Sequence, residues 1–139
     1  MAMQLTRAGE YAIKSLLYLA AQGADSRVMA SEVAGAEQIP VNFVRKILES
    51  LAKTGLVKSY RGAGGGFTLG RAPEQISMRH IIEAVEGPLA LNLCLLPVAC
   101  EQAPVCPMSP IWKEAQQAVE TVLDRYSLAD VAGKRQQKQ

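Results

Sequence analysis

Apolar residues recur at helical spacing from the start of the chain. Ala8, Tyr11, Ala12, Leu16, Leu19 and Ala20 fall on one face, and Ile13 and Leu17 widen it. The pattern predicts a helix capped by Thr6, running to about Gln22 and stopped at Gly23. A short second helix is expected over roughly Met29 to Ala34. Pro40 reads as the first residue of a third helix, where its missing N–H costs nothing. That helix puts Phe43, Val44, Ile47, Leu48 and Leu51 on one broad face and Arg45, Lys46, Glu49 and Lys53 off it, and Gly55 ends it.

At Leu56 the period changes. LVKSYRGAGGGFTLGRAP reads as a β-hairpin with a short strand, a tip at Gly62 to Gly66, a return strand through Phe67 and Leu69, and Pro73 closing it. A helix from about Ser77 to Glu86, capped by Ser77, ends at Gly87–Pro88. Leu89 to Pro110 has no period and four prolines, and is expected to be a loop. A long helix follows from about Ser109 to Arg125. Ile111, Ala115, Ala118, Val122 and Tyr126 form one stripe on it, flanked by Trp112, Val119 and Leu123. The end, GKRQQKQ, reads as a frayed tail.

The predicted fold class is mainly α with a small β-hairpin wing, a winged helix-turn-helix followed by a long C-terminal dimerisation helix. Its parts are a DNA-binding domain over 1–87, a cysteine loop over 88–108, the dimerisation helix over 109–126 and a tail over 127–139. The simplest cover for the stripe on the long helix is a second subunit, although folding back onto its own domain would also hide it.

With 139 residues, 49% of them hydrophobic and 20% charged, the chain suits one compact domain. The net charge of +2 says little, but its distribution says more. Up to His80 there are ten Lys/Arg against six Asp/Glu, and after it five against seven. A basic first part and a mildly acidic second fit nucleic-acid contact at one end and assembly at the other, though imbalances this small also occur on ordinary solvated surfaces. No signal peptide or membrane span is legible, so a cytoplasmic protein is expected.

Three groups of residues suggest chemistry. Pro40, Val41, Asn42, Phe43, Arg45 and Lys46 lie near the start of the third helix, where a recognition helix enters the major groove. Asn42 suits a base edge and Arg45 a guanine or a phosphate. The bland alternative is a charged, solubilising helix surface. Arg61 beside Gly62 and Gly64 suits insertion into a minor groove, whereas an ordinary glycine-rich hairpin has no such role. GAGGG is a poor nucleotide loop, because no Lys–Ser/Thr follows and the next residues read as strand.

Cys94, Cys100 and Cys106, each separated by five residues, form the third group. Close thiolates repel unless a metal neutralises them, so a metal or iron–sulfur cluster, a thiol redox switch and inert cysteines all stand as readings. The spacing does not match the paired short spacings of structural zinc, and the one histidine, His80, belongs to a different helix and reads as a surface residue. No acid–base pair or nucleophile accompanies the cysteines, so an enzyme is not expected.

From Met3 to Val131 the chain resembles the bacterial family of winged-helix regulators that includes the iron–sulfur cluster regulator IscR and the nitric-oxide-sensing repressor NsrR. The resemblance is carried by MQLTRAGEYAIKSLLYLA, LAKTGLV, the wing RGAGGGFTL, IIEAVEG and the three evenly spaced cysteines. It implies a homodimer held by the long helices, binding double-stranded operator DNA of palindromic form. Thr6 and Arg7 join the residues expected at DNA. It implies a cluster on Cys94, Cys100 and Cys106, whose state controls the reading helix. IscR-like members have a histidine three residues after the last cysteine, where this chain has Ser109. NsrR-like members take an acidic ligand from the partner's first helix, and Glu10 falls at that position. The resemblance therefore favours a 4Fe–4S over a 2Fe–2S cluster. Two readings from other classes are a metal-free thiol-switch regulator and a winged-helix protein-interaction module.

Overall fold

The computed structural model describes residues 7–23, 26–87 and 107–137. In them lie helices α1 (Arg7–Gln22), α2 (Ala30–Glu37) and α3 (Val41–Lys53), then strands β1 (Val57–Tyr60) and β2 (Gly66–Leu69). Helices α4 (Met78–Glu86), α5 (Ser109–Arg125) and α6 (Leu128–Gln137) complete them. The fold is mainly helical with a small antiparallel hairpin, as the pattern predicts.

The core forms where the amphipathic faces of α1, α3 and α4 meet. Leu16 and Leu19 of α1, Val44, Leu48 and Leu51 of α3 and Ile81 of α4 are buried together with Leu56, Val57 and Ile76. Pro40 stands one place earlier than expected. It is the extended residue before α3, and its carbonyl accepts the N–H groups of Phe43 (3.0 Å) and Val44 (3.2 Å). Gly55 ends α3 as predicted. At φ 83° it turns the chain so that its own N–H reaches the Ala52 carbonyl and that of Leu56 the Leu51 carbonyl. This closure delivers the chain from α3 straight into β1.

The strands pair Val57 with Leu69, Lys58 with Thr68, Ser59 with Phe67 and Tyr60 with Gly66. Alternation puts Val57, Leu69 and Phe67 toward the core and leaves Lys58 and Tyr60 on the other face. Val28 extends this sheet by one bridge, exchanging backbone hydrogen bonds of 2.9 and 2.8 Å with Phe67. Ser77 caps α4 as expected. Its Oγ accepts from the His80 N–H (3.0 Å), while the exposed His80 returns Nδ1 as acceptor to the Ser77 N–H (3.2 Å).

Arg79 joins α4 to α5. It bonds Glu83 on its own helix (2.7 Å) and reaches Asp124 (3.0 Å) and Glu120 (3.4 Å) on α5. Its hydrogen bonds with Glu83, then with Asp124, raise its pKa above an already high value, so the clamp remains cationic. The inner side of α5 buries Ser109 and Gln116, whereas Ile111, Val122 and Tyr126 are 54, 44 and 39% exposed. Ile111 and Val122 stay uncovered among the described residues, whereas Tyr126, the extended residue that follows α5, has Lys134 Nζ 5.5 Å from its ring centroid.

Where the sequence suggests a frayed end at GKRQQKQ, α6 continues to Gln137. Ser127 Oγ accepts from the Asp130 N–H, and the Asp130 carboxylate accepts from the Ser127 N–H, which starts a helix in the manner of a capping box. Leu128 is fully buried, and its N–H bonds the Ile76 carbonyl at 2.7 Å. Arg135 then pairs with the largely buried Glu37 of α2 at 2.6 Å. A pattern of few apolar residues hid this helix, which is held by the buried Leu128, by Val131 and Ala132 packed beside it, and by long-range polar contacts. No helix among the described residues is long and apolar enough to cross a membrane.

Leu48 has no solvent-exposed surface and stands where α3 meets the core. Leu48→Ala is expected to lower the unfolding free energy by about 3 kcal/mol, the usual scale for a leucine deleted from a packed interior. Urea denaturation measures this, and a loss under about 1 kcal/mol would mean the α3 face is not the centre of the core.

Candidate nucleic-acid interface

Burial of Val44, Ile47, Leu48 and Leu51 fixes the rotation of α3 about its axis. At 100° per residue, Asn42, Arg45, Lys46 and Glu49 are forced to the opposite side, and all four are exposed. Val41 lies half-buried at the margin, and Pro40 is exposed just before the helix. The free N–H groups of the first turn add partial positive charge beside Asn42. A polar, net cationic helix face is thus presented to solvent by the packing behind it.

Phe43 departs from the sequence reading, which places it on the apolar face. It is 55% exposed, because its position lies about 100° from Val44, outside the arc that the core covers. Its ring meets Tyr11 edge-on, with centroids 6.1 Å apart. This contact ties the N-terminal part of α1 to the first turn of α3. Arg7 and Glu10, both exposed, lie in the first turn of that same α1.

The wing is built by backbone constraints. Gly62 and Gly64 take φ of 78° and 76°, and the Gly65 N–H closes the turn on the Gly62 carbonyl at 2.9 Å. A side chain on Gly65 would put its Cβ 2.7 Å from the Tyr60 carbonyl oxygen, so the turn admits none. Arg61 is exposed at the start of this tip. One residue that sequence reasoning missed also belongs here. Arg27 lies with its guanidinium carbon 3.9 Å from the Tyr60 ring centroid, and its Nη1 donates to the Gly64 carbonyl at 2.6 Å. No local spacing announces a contact between residues 37 positions apart.

The structure therefore brings Asn42, Arg45 and Lys46 onto one face and Arg61, Gly62 and Gly64 into one tip. Thr6, Cys94, Cys100 and Cys106 lie outside the described residues. Among the described residues no three His, Cys, Asp or Glu side chains are grouped to hold a metal ion. Ser109 is buried as the first residue of α5.

The model of the family Rrf2, described as iron-dependent transcriptional regulator, matches residues 5–134. The regulator NsrR of Halalkalibacterium halodurans is 34% identical over 93% of this chain and 90% of its own length. Among solved structures, IscR of T. potens matches with a TM-score of 0.78 and 27% identity, covering all of this chain and 93% of its own. CymR, the global cysteine regulator of B. subtilis, matches with a TM-score of 0.76 and 28% identity, over 96% of this chain and 98% of its own.

The edge contact of Phe43 yields a direct expectation. Phe43→Ala should cost about 1 kcal/mol of stability, the scale of an aromatic pair at a partly exposed site, against ~3–5 kcal/mol for a phenylalanine in a core. Thermal or urea unfolding measures it, and a core-sized loss would contradict the exposed placement.

Proposed function

The chain belongs to the Rrf2 family of transcriptional regulators, and we propose that its affinity for operator DNA is set by an iron–sulfur cluster carried by a homodimer. DNA binding itself comes with the winged helix-turn-helix and the family. The observation that carries the proposal is a set of three evenly spaced cysteines in a chain whose α1 offers an exposed Glu10 and whose α1 touches α3. Residues 1–87 act as the DNA-binding domain, 88–108 as the cluster-binding loop and 109–126 as the dimerisation helix. The exposed Ile111 and Val122 on that helix support the last of these.

The donor chemistry suits a cluster. Cys94, Cys100 and Cys106 supply three thiolates, which stay close to one another only when iron neutralises them. They leave one iron position for a harder ligand. Glu10 is exposed on α1, so its carboxylate is open to the loop of a partner subunit. Ser109, where IscR-like members have a histidine, is buried and offers no imidazole. This donor set favours 4Fe–4S over 2Fe–2S. When bound, the cluster supplies a centre sensitive to oxidants, nitric oxide and iron supply.

The chain's own residues give that centre a route to DNA. Glu10 directly precedes Tyr11, and Tyr11 packs edge-on against Phe43 in the first turn of α3. A change in the hold on Glu10 shifts the N-terminal part of α1 and, through that ring pair, the face that carries Asn42, Arg45 and Lys46. Asn42 reads a base edge, Arg45 and Lys46 reach guanine or phosphate, Pro40 and Val41 set the helix entry, and Arg7 and Thr6 meet the backbone. Arg61 enters the minor groove with Gly62 and Gly64 keeping the tip thin. A cluster controls binding only through its differential affinity for two such arrangements.

Native mass spectrometry of protein purified without oxygen tests the cofactor. A dimer with one 4Fe–4S per subunit is expected, and a metal-free dimer after anaerobic reconstitution would transfer sensing to the cysteine thiols. Operator affinity of the loaded and apo forms, measured by fluorescence anisotropy at fixed salt, should then differ about tenfold or more, a coupling of ~1.4 kcal/mol. Equal affinities would refute the switch. Glu10→Ala should alter the cluster's spectrum and speed its decay in air.

The wing has its own test. Arg61→Ala should weaken operator binding by about tenfold or more, the scale of one specific groove contact, while the dimer stays intact. Unchanged anisotropy titrations would remove Arg61 from the interface.

A further inference from the structure

Behind the wing tip runs a groove that the expected DNA contacts do not use. Arg27, Lys58, Tyr60, Thr68 and Arg71 line it, and its volume is about 570 Å³. Three of its side chains are cations and none of its lining residues is acidic. Among the described residues, Arg27, Lys58 and Arg71 enter no ion pair. A concentration of unneutralised positive charge on a concave surface attracts an extended polyanion.

The groove is continuous with the tip through Arg27. The backbone of the next residue, Val28, is held on β2 by its two hydrogen bonds with Phe67. From that anchored base the Arg27 side chain crosses the last residue of β1, stacking on Tyr60, and ends on the Gly64 carbonyl. It thereby restrains a tip made of residues with little conformational preference of their own. A planar guanidinium can stack and donate in its plane at once, which a lysine ammonium cannot do in the same geometry.

We propose that this groove takes the sugar–phosphate backbone of the DNA flanking the wing contact, with Lys58 and Arg71 meeting phosphates and Arg27 acting as a positioning residue that shapes the tip before DNA arrives. The occupant is a nucleic-acid backbone because the groove leads directly from a tip already assigned to DNA. The inference rests on the DNA-binding reading of the family and goes beyond it by naming residues outside the reading helix and Arg61.

The test uses the full-length protein, a duplex from upstream of its own gene and a scrambled duplex of equal length, with affinities measured by anisotropy between about 50 and about 200 mM salt. Lys58→Gln and Arg71→Gln should weaken binding to both duplexes alike. Each should also lower the magnitude of the slope of log affinity against log salt by about 1.8 per dimer, the release of counterions from one phosphate in each half-site. Arg27→Lys, which keeps the charge, should leave the slope at its wild-type value yet reduce the preference for the upstream duplex about tenfold. Tyr60→Leu should reproduce that loss by removing the stacking surface.

Unchanged slopes for both Lys58→Gln and Arg71→Gln would overturn the phosphate groove. A wild-type preference in Arg27→Lys, or a slope lowered with it, would overturn the positioning role. Wild-type protein that binds neither duplex would instead remove the DNA-binding premise. All three cationic side chains are exposed, so unchanged helicity and melting temperature serve as the folding control.

Discussion

The inner face of α3 is the constraint on which the rest depends. Val44, Ile47, Leu48 and Leu51 have to leave water, and the matching apolar face of α1 receives them. Once that packing is made, the rotation of α3 is set, and Asn42, Arg45 and Lys46 face outward, with no side-chain hydrogen bond or ion pair among the described residues to hold them there. The same packing fixes where α3 ends. Gly55 then delivers Leu56 and Val57 into the core, and the base of the wing is anchored to α3. Helix and wing act as one body because a single apolar core fixes both.

The wing illustrates a different balance. Its base is rigid through Val57, Phe67 and Leu69, while its tip has almost no side-chain mass. Glycine at φ above zero permits the turn but does not enforce it. Enforcement comes from Arg27, whose contacts with Tyr60 and Gly64 limit what the tip can do. A thin tip suits close approach to a nucleic acid, and a side chain anchored at the sheet edge spares the ordering cost that a loose loop would incur on binding.

At the other end, α5 and α6 divide two tasks. Arg79 clamps α5 to α4 through carboxylates on both helices, and Arg135 returns α6 to α2 through Glu37. These polar ties are modest one by one at partly exposed sites. They leave the apolar stripe of α5 pointing outward, where a second copy can cover it. The two ties join α5 to α4 and α6 to α2.

Much of this was legible in the chain itself. The 3.6-residue period of α1, α3 and α5, the cap of α4 at Ser77, the switch to a hairpin at Leu56, and the stops at Gly55 and Gly87 are local properties, set by burial of one face, by a capping side chain and by backbone freedom at single residues. So were the exposed Asn42, Arg45 and Arg61 and the three spaced cysteines. Tertiary structure alone decided the rest. Phe43 left the apolar face because neighbouring helices cover only part of it. Helix α6 formed where the pattern was weak, because Leu128 found a place in a core built elsewhere. Arg27 became part of the wing through a contact 37 residues away, and Arg135 met Glu37 across 98. Periodicity records which side of an element seeks burial; it carries no information about which distant polar group will stand opposite, because that pairing exists only once the elements have packed.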